Sequence, residues 1–137
     1  MRRPSPSPSL LVAAAVGGVL GALLRWELDV LVPDGGGFPW TTFAINVSGS
    51  FLLAALPALA AVRRRPVLPV FLGTGVLGGY TTLSTYAEQG RALLAGGSEL
   101  LAAAYLLGTL GCCLVAVALA QRLAHESAEP DWTEDAP

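Results

Sequence analysis

Apolar residues along this chain gather into four long blocks separated by short polar punctuation. Each block approaches the roughly 20 residues with which an α-helix crosses a hydrocarbon layer. The first begins at Leu10 and predicts a helix over about 10–31. The second, opened by the Gly35-Gly36-Gly37 turn and Pro39, runs from Trp40 to Val62 and stops at Arg63-Arg64-Arg65-Pro66. Residues 66–87 form an uncharged third block, and Leu100 to Gln121 an uncharged, Ala/Leu-rich fourth. The pattern predicts an all-α integral membrane protein of four transmembrane helices, multi-pass in the cell membrane with the lipid bilayer as its solvent.

The third block differs from the others. Gly73, Gly75, Gly78 and Gly79 precede Thr81-Thr82-Leu83-Ser84-Thr85, and both residue classes are poor helix formers. The third helix is therefore expected to break near its middle. Elsewhere small residues recur at four-residue spacing, as Gly17/Gly21, Gly75/Gly79 and Ala104/Gly108, which lets helix backbones approach closely in lipid. Four helices of this size enclose little space, so a pathway is expected to need an oligomer.

Composition agrees with a membrane protein: 53% of 137 residues are hydrophobic and 13% charged, against about 25% charged in soluble domains. All eight positive residues are Arg, and five of the ten acids follow His125. Residues 1–9 read as a flexible arm, 10–125 as the membrane domain and 126–137 as an acidic, disordered tail. With both termini cytoplasmic, Arg2, Arg3, Arg63, Arg64, Arg65 and Arg122 lie inside, and Arg25 and Arg91 outside. That bias follows the positive-inside rule, and the arginines are read as topology determinants. No basic stripe interleaved with aromatics suggests nucleic acid. Cys112 and Cys113 are adjacent, where an intrachain disulfide is strained, and are read as small helix residues.

Polar groups at membrane depth are the candidates for chemistry. On the second helix Thr42, Asn46, Gly49, Ser50 and Leu53 share one face, which should meet a partner helix or a pore. For Asn46, interhelical hydrogen bonding is the structural alternative. In the third block, unwinding would free the carbonyls of Gly78 and Thr81, hard oxygens suited to a small cation. Repair of a simple kink by hydroxyl side chains is the alternative. Tyr105 and Thr109 form a polar i, i+4 pair on the fourth helix, by packing or beside a pathway. Arg25, near a helix end, either anchors it by snorkelling or draws anions to a vestibule. No nucleophile, base and orienting group occur as a set, and the glycine run lacks the Lys-Ser/Thr of a phosphate loop, so an enzyme is not expected.

Three motifs in order resemble the small fluoride channels called CrcB or Fluc, across nearly all of residues 17–122. They are Gly18-x-x-Gly21-Ala22-x-x-Arg25-Trp26, Thr41-Thr42-Phe43-x-x-Asn46-x-x-Gly49-Ser50-Phe51, and Gly75-x-x-Gly78-Gly79-Tyr80-Thr81-Thr82-Leu83-Ser84-Thr85-Tyr86. The resemblance implies a passive channel exporting cytoplasmic fluoride, built as an antiparallel dimer with two pores along the subunit interface. It also implies a central structural Na+ that is not transported, held by the backbone oxygens of Gly78 and Thr81. By motif position Asn46 matches a vestibule asparagine, and Ser84 and Thr85 match hydroxyls of a polar track. The family's two phenylalanines fall on Leu83 and Tyr86; Tyr86 keeps a positive ring edge and Leu83 does not.

Weak donors in place of a buried cation suit a pathway from which a strongly hydrated anion must also leave. The second subunit is either another copy of this chain or, as the arginine bias favours, a separate paralogue inserted oppositely. The rival reading is a small four-helix proton-coupled cation or drug antiporter. It needs an acid within the first helix, whereas Glu27 and Asp29 lie near its exit. A non-conducting assembly subunit is a third reading.

Overall fold

A computed structural model describes residues 7–126. All regular structure among them is helical. Helix α1 spans Pro8–Leu31, α2 Trp40–Ala55, α3 Ala60–Arg64, α4 Gly78–Tyr80, α5 Leu83–Ala95 and α6 Glu99–Glu126, with a 3₁₀ turn at Leu56–Ala58 and a π-helical segment at Pro69–Leu77. Three stretches have the length and apolar composition to cross a membrane: Pro8–Leu31, Trp40–Ala58 and Glu99–His125. The expected arm and acidic tail lie outside the described residues, except that Pro8 and Ser9 already belong to α1 and Glu126 to α6.

The second span is shorter than its apolar run. Pro57 lacks an amide hydrogen and tightens the chain into the 3₁₀ turn, so the span ends at Ala58 rather than Val62. Residues 60–64 form a separate short helix.

The third block is divided. Its first half, Pro69 to Tyr80, is about 18 Å long and α5 about 20 Å at helical rise, so neither crosses by itself. The division falls at Thr81 and Thr82, both extended (ψ 157° and 119°). Gly78 and Gly79, expected within the break, are helical. The glycines serve close approach instead. A Cβ on Gly79 would collide with the Gly18 carbonyl, one on Gly21 with the Val76 carbonyl, and one on Gly75 would lie 2.8 Å from the Cα of Gly17. The two small-residue pairs thus interlock, and α1 packs along the first half of the third block. Nothing lies within 4 Å of Gly108 on its open side, so the Ala104/Gly108 pair faces outward.

On the other side α6 packs against α2 and α5. Tyr105, Ile45 and Thr42 are the largest fully buried side chains. Phe38, in the loop before α2, sets its ring edge-on to Tyr105 at 5.4 Å. Much of the remaining surface is apolar and open, including Leu100, Leu107, Leu114 and Val115 on α6.

Candidate functional site

The break at Thr81-Thr82 is held by one side chain. Asn46 Nδ2 donates to the Thr82 carbonyl at 3.0 Å, and the Thr82 amide donates to Asn46 Oδ1 at 2.9 Å. In an unbroken helix that amide would bond the Gly78 carbonyl four residues back. Asn46 therefore takes the donor from Gly78 and supplies Thr82 with a substitute for the helical ladder. Thr82 Oγ1 in turn accepts from the Thr85 amide at 3.1 Å and caps α5. The Thr81 amide and hydroxyl both return to the Leu77 carbonyl, ending α4. Gly49 makes room on α2, since a Cβ there would overlap the Thr81 methyl.

Beside the break lies an open groove of about 250 Å³, lined by Asn46, Gly49, Ser50 and Leu53 of α2, Thr81 to Leu83 and Tyr86 of the third block, and Thr109, Leu110 and Cys113 of α6. Thr109 is 3% exposed, and its Oγ1 is buried without a hydrogen-bond partner. A buried unpaired hydroxyl costs roughly 1–3 kcal/mol, and Thr109 is one of the residues that line the groove. The Asn46 amide is already occupied by Thr82. Leu83 is 77% exposed at the groove edge. The Tyr86 hydroxyl donates to the Leu106 carbonyl at 2.6 Å, and its ring centroid lies 5.3 Å from that of Tyr105.

Not every sequence candidate meets at the groove. Ser84 is exposed outside its lining, with Oγ 3.3 Å from Thr82 Oγ1. Thr85 Oγ1 accepts from the Thr82 hydroxyl at 3.0 Å. Thr42 and Tyr105 belong to a second polar cluster centred on Asp34. The Asp34 carboxylate accepts from the Thr41 amide at 2.7 Å, the Thr42 amide at 3.3 Å, the Thr42 hydroxyl at 3.1 Å and Gln89 Nε2 at 3.1 Å. The Tyr105 hydroxyl donates to Gln89 Oε1 at 2.7 Å. Arg25 lies apart, its Nε donating to the Gly79 carbonyl at 3.4 Å and its Nη1 3.9 Å from Asp29.

Asp34 and Gln89 are the residues that pattern reading missed. Asp34 caps α2 from seven residues before Thr41, across a glycine loop, whereas helix caps are sought next to the first turn. Gln89 meets it only in three dimensions. The one available signal was a lone acid between two apolar blocks.

Chemically, the groove wall carries the hydroxyl residues Ser50 and Thr109 and one aromatic ring, Tyr86, with no cation or carboxylate. Such a surface can pass an ion between weak sites and has no group set for bond chemistry.

Comparison with known proteins bears on this arrangement. The model of the family described as CrcB-like protein, Camphor Resistance (CrcB), matches residues 12–121. A Nocardia farcinica protein named fluoride-specific ion channel FluC 2 is 43% identical over 122 residues, covering 86% of each chain. The Streptomyces coelicolor protein named fluoride-specific ion channel FluC 1 is 43% identical over 115 residues, 81% of this chain and 74% of that one. A Rhizobium meliloti protein named fluoride-specific ion channel FluC is 42% identical over 112 residues, 79% of this chain and 88% of its own.

Proposed function

This chain belongs to the CrcB family, and on that premise we propose that it is a subunit of a passive, fluoride-selective membrane channel. It is a channel protein and not an enzyme. The observation that carries the reading is the groove beside a helix break held by Asn46, with the Thr109 hydroxyl buried and unpaired at its wall. Fluoride sheds water and needs replacement donors, and the Thr109 hydroxyl is one. Ser50 adds a second hydroxyl, and the Tyr86 ring presents a positive edge. None carries a full positive charge, so the ion can also leave.

The two halves of the third block together form the fourth crossing, because 69–95 provides the missing length once the break is bridged. The break lies at membrane depth, where Asn46 keeps the Thr82 backbone groups paired. The open groove is half a pathway. A second subunit inserted in the opposite sense closes it, and the broken segments of the two subunits meet at the centre of an antiparallel dimer.

A structural Na+ fits that centre. The Gly78 carbonyl has given up its helical donor to Asn46, Gly78 is exposed, and Thr81 lies in extended backbone. These are hard, neutral oxygens of the class that Na+ takes, and two from each subunit would hold it. When bound, the ion supplies a fixed positive charge joining the subunits. Within one chain, Asn46 keeps the break open, Gly49 admits Thr81, and Thr82 restarts the helix.

Reconstitution in liposomes tests the reading. With the oppositely inserted second subunit present, fluoride should leave vesicles loaded with potassium fluoride without a proton gradient, chloride should not, and most of this efflux should be lost on Asn46→Asp. Chloride efflux as fast as that of fluoride would remove the proposal.

A further inference from the structure

At the opposite end of α2 from Asp34 lies a larger groove, about 500 Å³, that shares only Leu53 with the pathway groove. Its walls are Leu53, Leu56, Pro57, Val62, Pro66 and Pro69, with Gly73 and Thr74 on its π-helical side and Arg63 at its margin. Arg63 is pinned there, its Nη1 donating to the carbonyls of Pro57 at 3.1 Å and Ala58 at 2.8 Å. Arg64 and Arg65 follow directly and are exposed. Among the described residues the ion pairs are Arg25–Asp29 and Arg91–Glu88, so this triplet has no carboxylate partner there. Glu27, Asp29 and Asp34 lie at the far end of α1 and α2, and Glu99 opens α6 at that same end, where Phe38 meets Tyr105.

We propose that this groove binds an anionic phospholipid, its phosphate on the Arg63-Arg64-Arg65 cluster and an acyl chain against Leu53, Leu56 and Val62. Two properties together select this occupant. The arginines sit just beyond Ala58, where the span ends, at headgroup level. The groove continues from them alongside the span, at the depth of the hydrocarbon. A free anion would leave the apolar walls uncovered, and an acidic peptide would bury carboxylates against them. A phospholipid satisfies both ends, and juxtamembrane arginines attract anionic headgroups. Arg63 is already ordered by its two carbonyl partners, so it loses little rotamer freedom on binding. Gly73 keeps the floor open: a Cβ there would stand 3.4 Å from Leu53 Cδ1 and 3.5 Å from Leu56 Cδ1. The proposal rests on the chain spanning the bilayer, not on fluoride being what it conducts.

The test is native mass spectrometry of the full-length protein released from detergent with phosphatidylglycerol or phosphatidylcholine added. Wild type should retain phosphatidylglycerol in preference, and Arg64→Gln with Arg65→Gln should lower that preference roughly 25-fold, at about fivefold per arginine. Arg63 is left in place because it also caps the 3₁₀ turn. Gly73→Leu fills the groove with every arginine present and should reduce retention of both lipids. Inorganic phosphate at tens of millimolar should leave bound phosphatidylglycerol in place.

Equal retention of the two lipids by wild type, or unchanged retention in both variants, overturns the proposal. So does complete displacement by phosphate, which would make this a simple anion site. The acidic tail is the competing occupant. Phosphatidylglycerol binding that emerges only with Glu129→Gln, Asp131→Asn, Glu134→Gln and Asp135→Asn combined would assign the arginines to the tail instead. Fluoride efflux is read separately on Gly73→Leu, which keeps every arginine, so loss of lipid retention with efflux intact there bears on this site alone.

Discussion

Asn46 and Thr109 both line the groove, but only Asn46 is tied to the backbone by hydrogen bonds, so substitution at Thr109 is the test that separates flux from stability. Asn46 both borders the groove and pairs with the Thr82 backbone, so Asn46→Asp removes the amide donor, sets a carboxylate against the Thr82 carbonyl and adds negative charge in one step. Thr109 Oγ1 has no partner to lose. Thr109→Val keeps the shape and removes a buried unsatisfied hydroxyl, so thermal unfolding in detergent should be unchanged or shifted upward, by up to about 1 kcal/mol. Fluoride efflux per folded protein should fall at least tenfold. A variant that loses stability and keeps its flux would make Thr109 a packing residue. Asn46→Ala should instead lower stability by roughly 1–3 kcal/mol, because two backbone groups of Thr82 lose their partners at membrane depth. The polarity of both side chains was legible in the sequence, since a hydrogen-bonding group in an uncharged apolar block stands out. Their difference was not: Asn46 is satisfied and Thr109 is unsatisfied only because α2, α5 and α6 meet as they do.

The third block shows how two residue classes that both disfavour helix divide their work. Glycine spacing was legible as a close-packing signal, and its partner is the matching pair on α1. Propensity alone points to Gly78-Gly79 as the break, but α1 supports those glycines as helix. The break falls where Asn46 offers the backbone an alternative partner. Gly21→Ala should therefore destabilise by several kcal/mol, more than ordinary overpacking of about 1–3 kcal/mol, because its Cβ would meet the Val76 carbonyl rather than a side chain that can turn away. Gly18→Ala, one turn position away with nothing within 4 Å, should be neutral or stabilising by about 0.5–1 kcal/mol. Chemical denaturation of the pair in one detergent reads this difference, and equal effects would mean that α1 does not pack on the third block. The start of α2 answers to Asp34 in the same way. Asp34→Ala frees two amides, a hydroxyl and the Gln89 amide together, and should cost about 2 kcal/mol, the upper range for a helix cap. Hydrogen exchange at Thr41 and Thr42 should quicken accordingly.

At the scale of the whole molecule, the groove, the exposed Gly78 and the open face of α6 all want a neighbour, and the arginines constrain which one. An antiparallel pair of identical chains requires a sequence that inserts both ways. Here Arg63, Arg64, Arg65 and Arg122 lie at one end of the spans, with Arg2 and Arg3 preceding α1 in the sequence, against Arg25 and Arg91 at the other end. Acids weigh little in setting orientation, so the pairing of Arg25 with Asp29 and of Arg91 with Glu88 leaves the bias intact. The chain should then insert with its termini on the cytoplasmic side in nearly all copies. Leu83, which offers no ring edge at the groove rim, also fits the proposal that a partner subunit completes the better pathway. Expressed alone with a carboxy-terminal tag, the chain should show that tag shielded from external protease in right-side-out vesicles and should conduct fluoride poorly after extraction. Co-expression with a family member of opposite bias should yield a co-purifying pair with restored efflux. A tag cleaved on half the copies, together with full conduction by the chain alone, would show a dual-topology homodimer. Changing Arg63, Arg64 and Arg65 to Gln sharpens the experiment: with three of six inner arginines gone, the orientation should become mixed, and homodimers should begin to conduct to the extent that inverted copies appear.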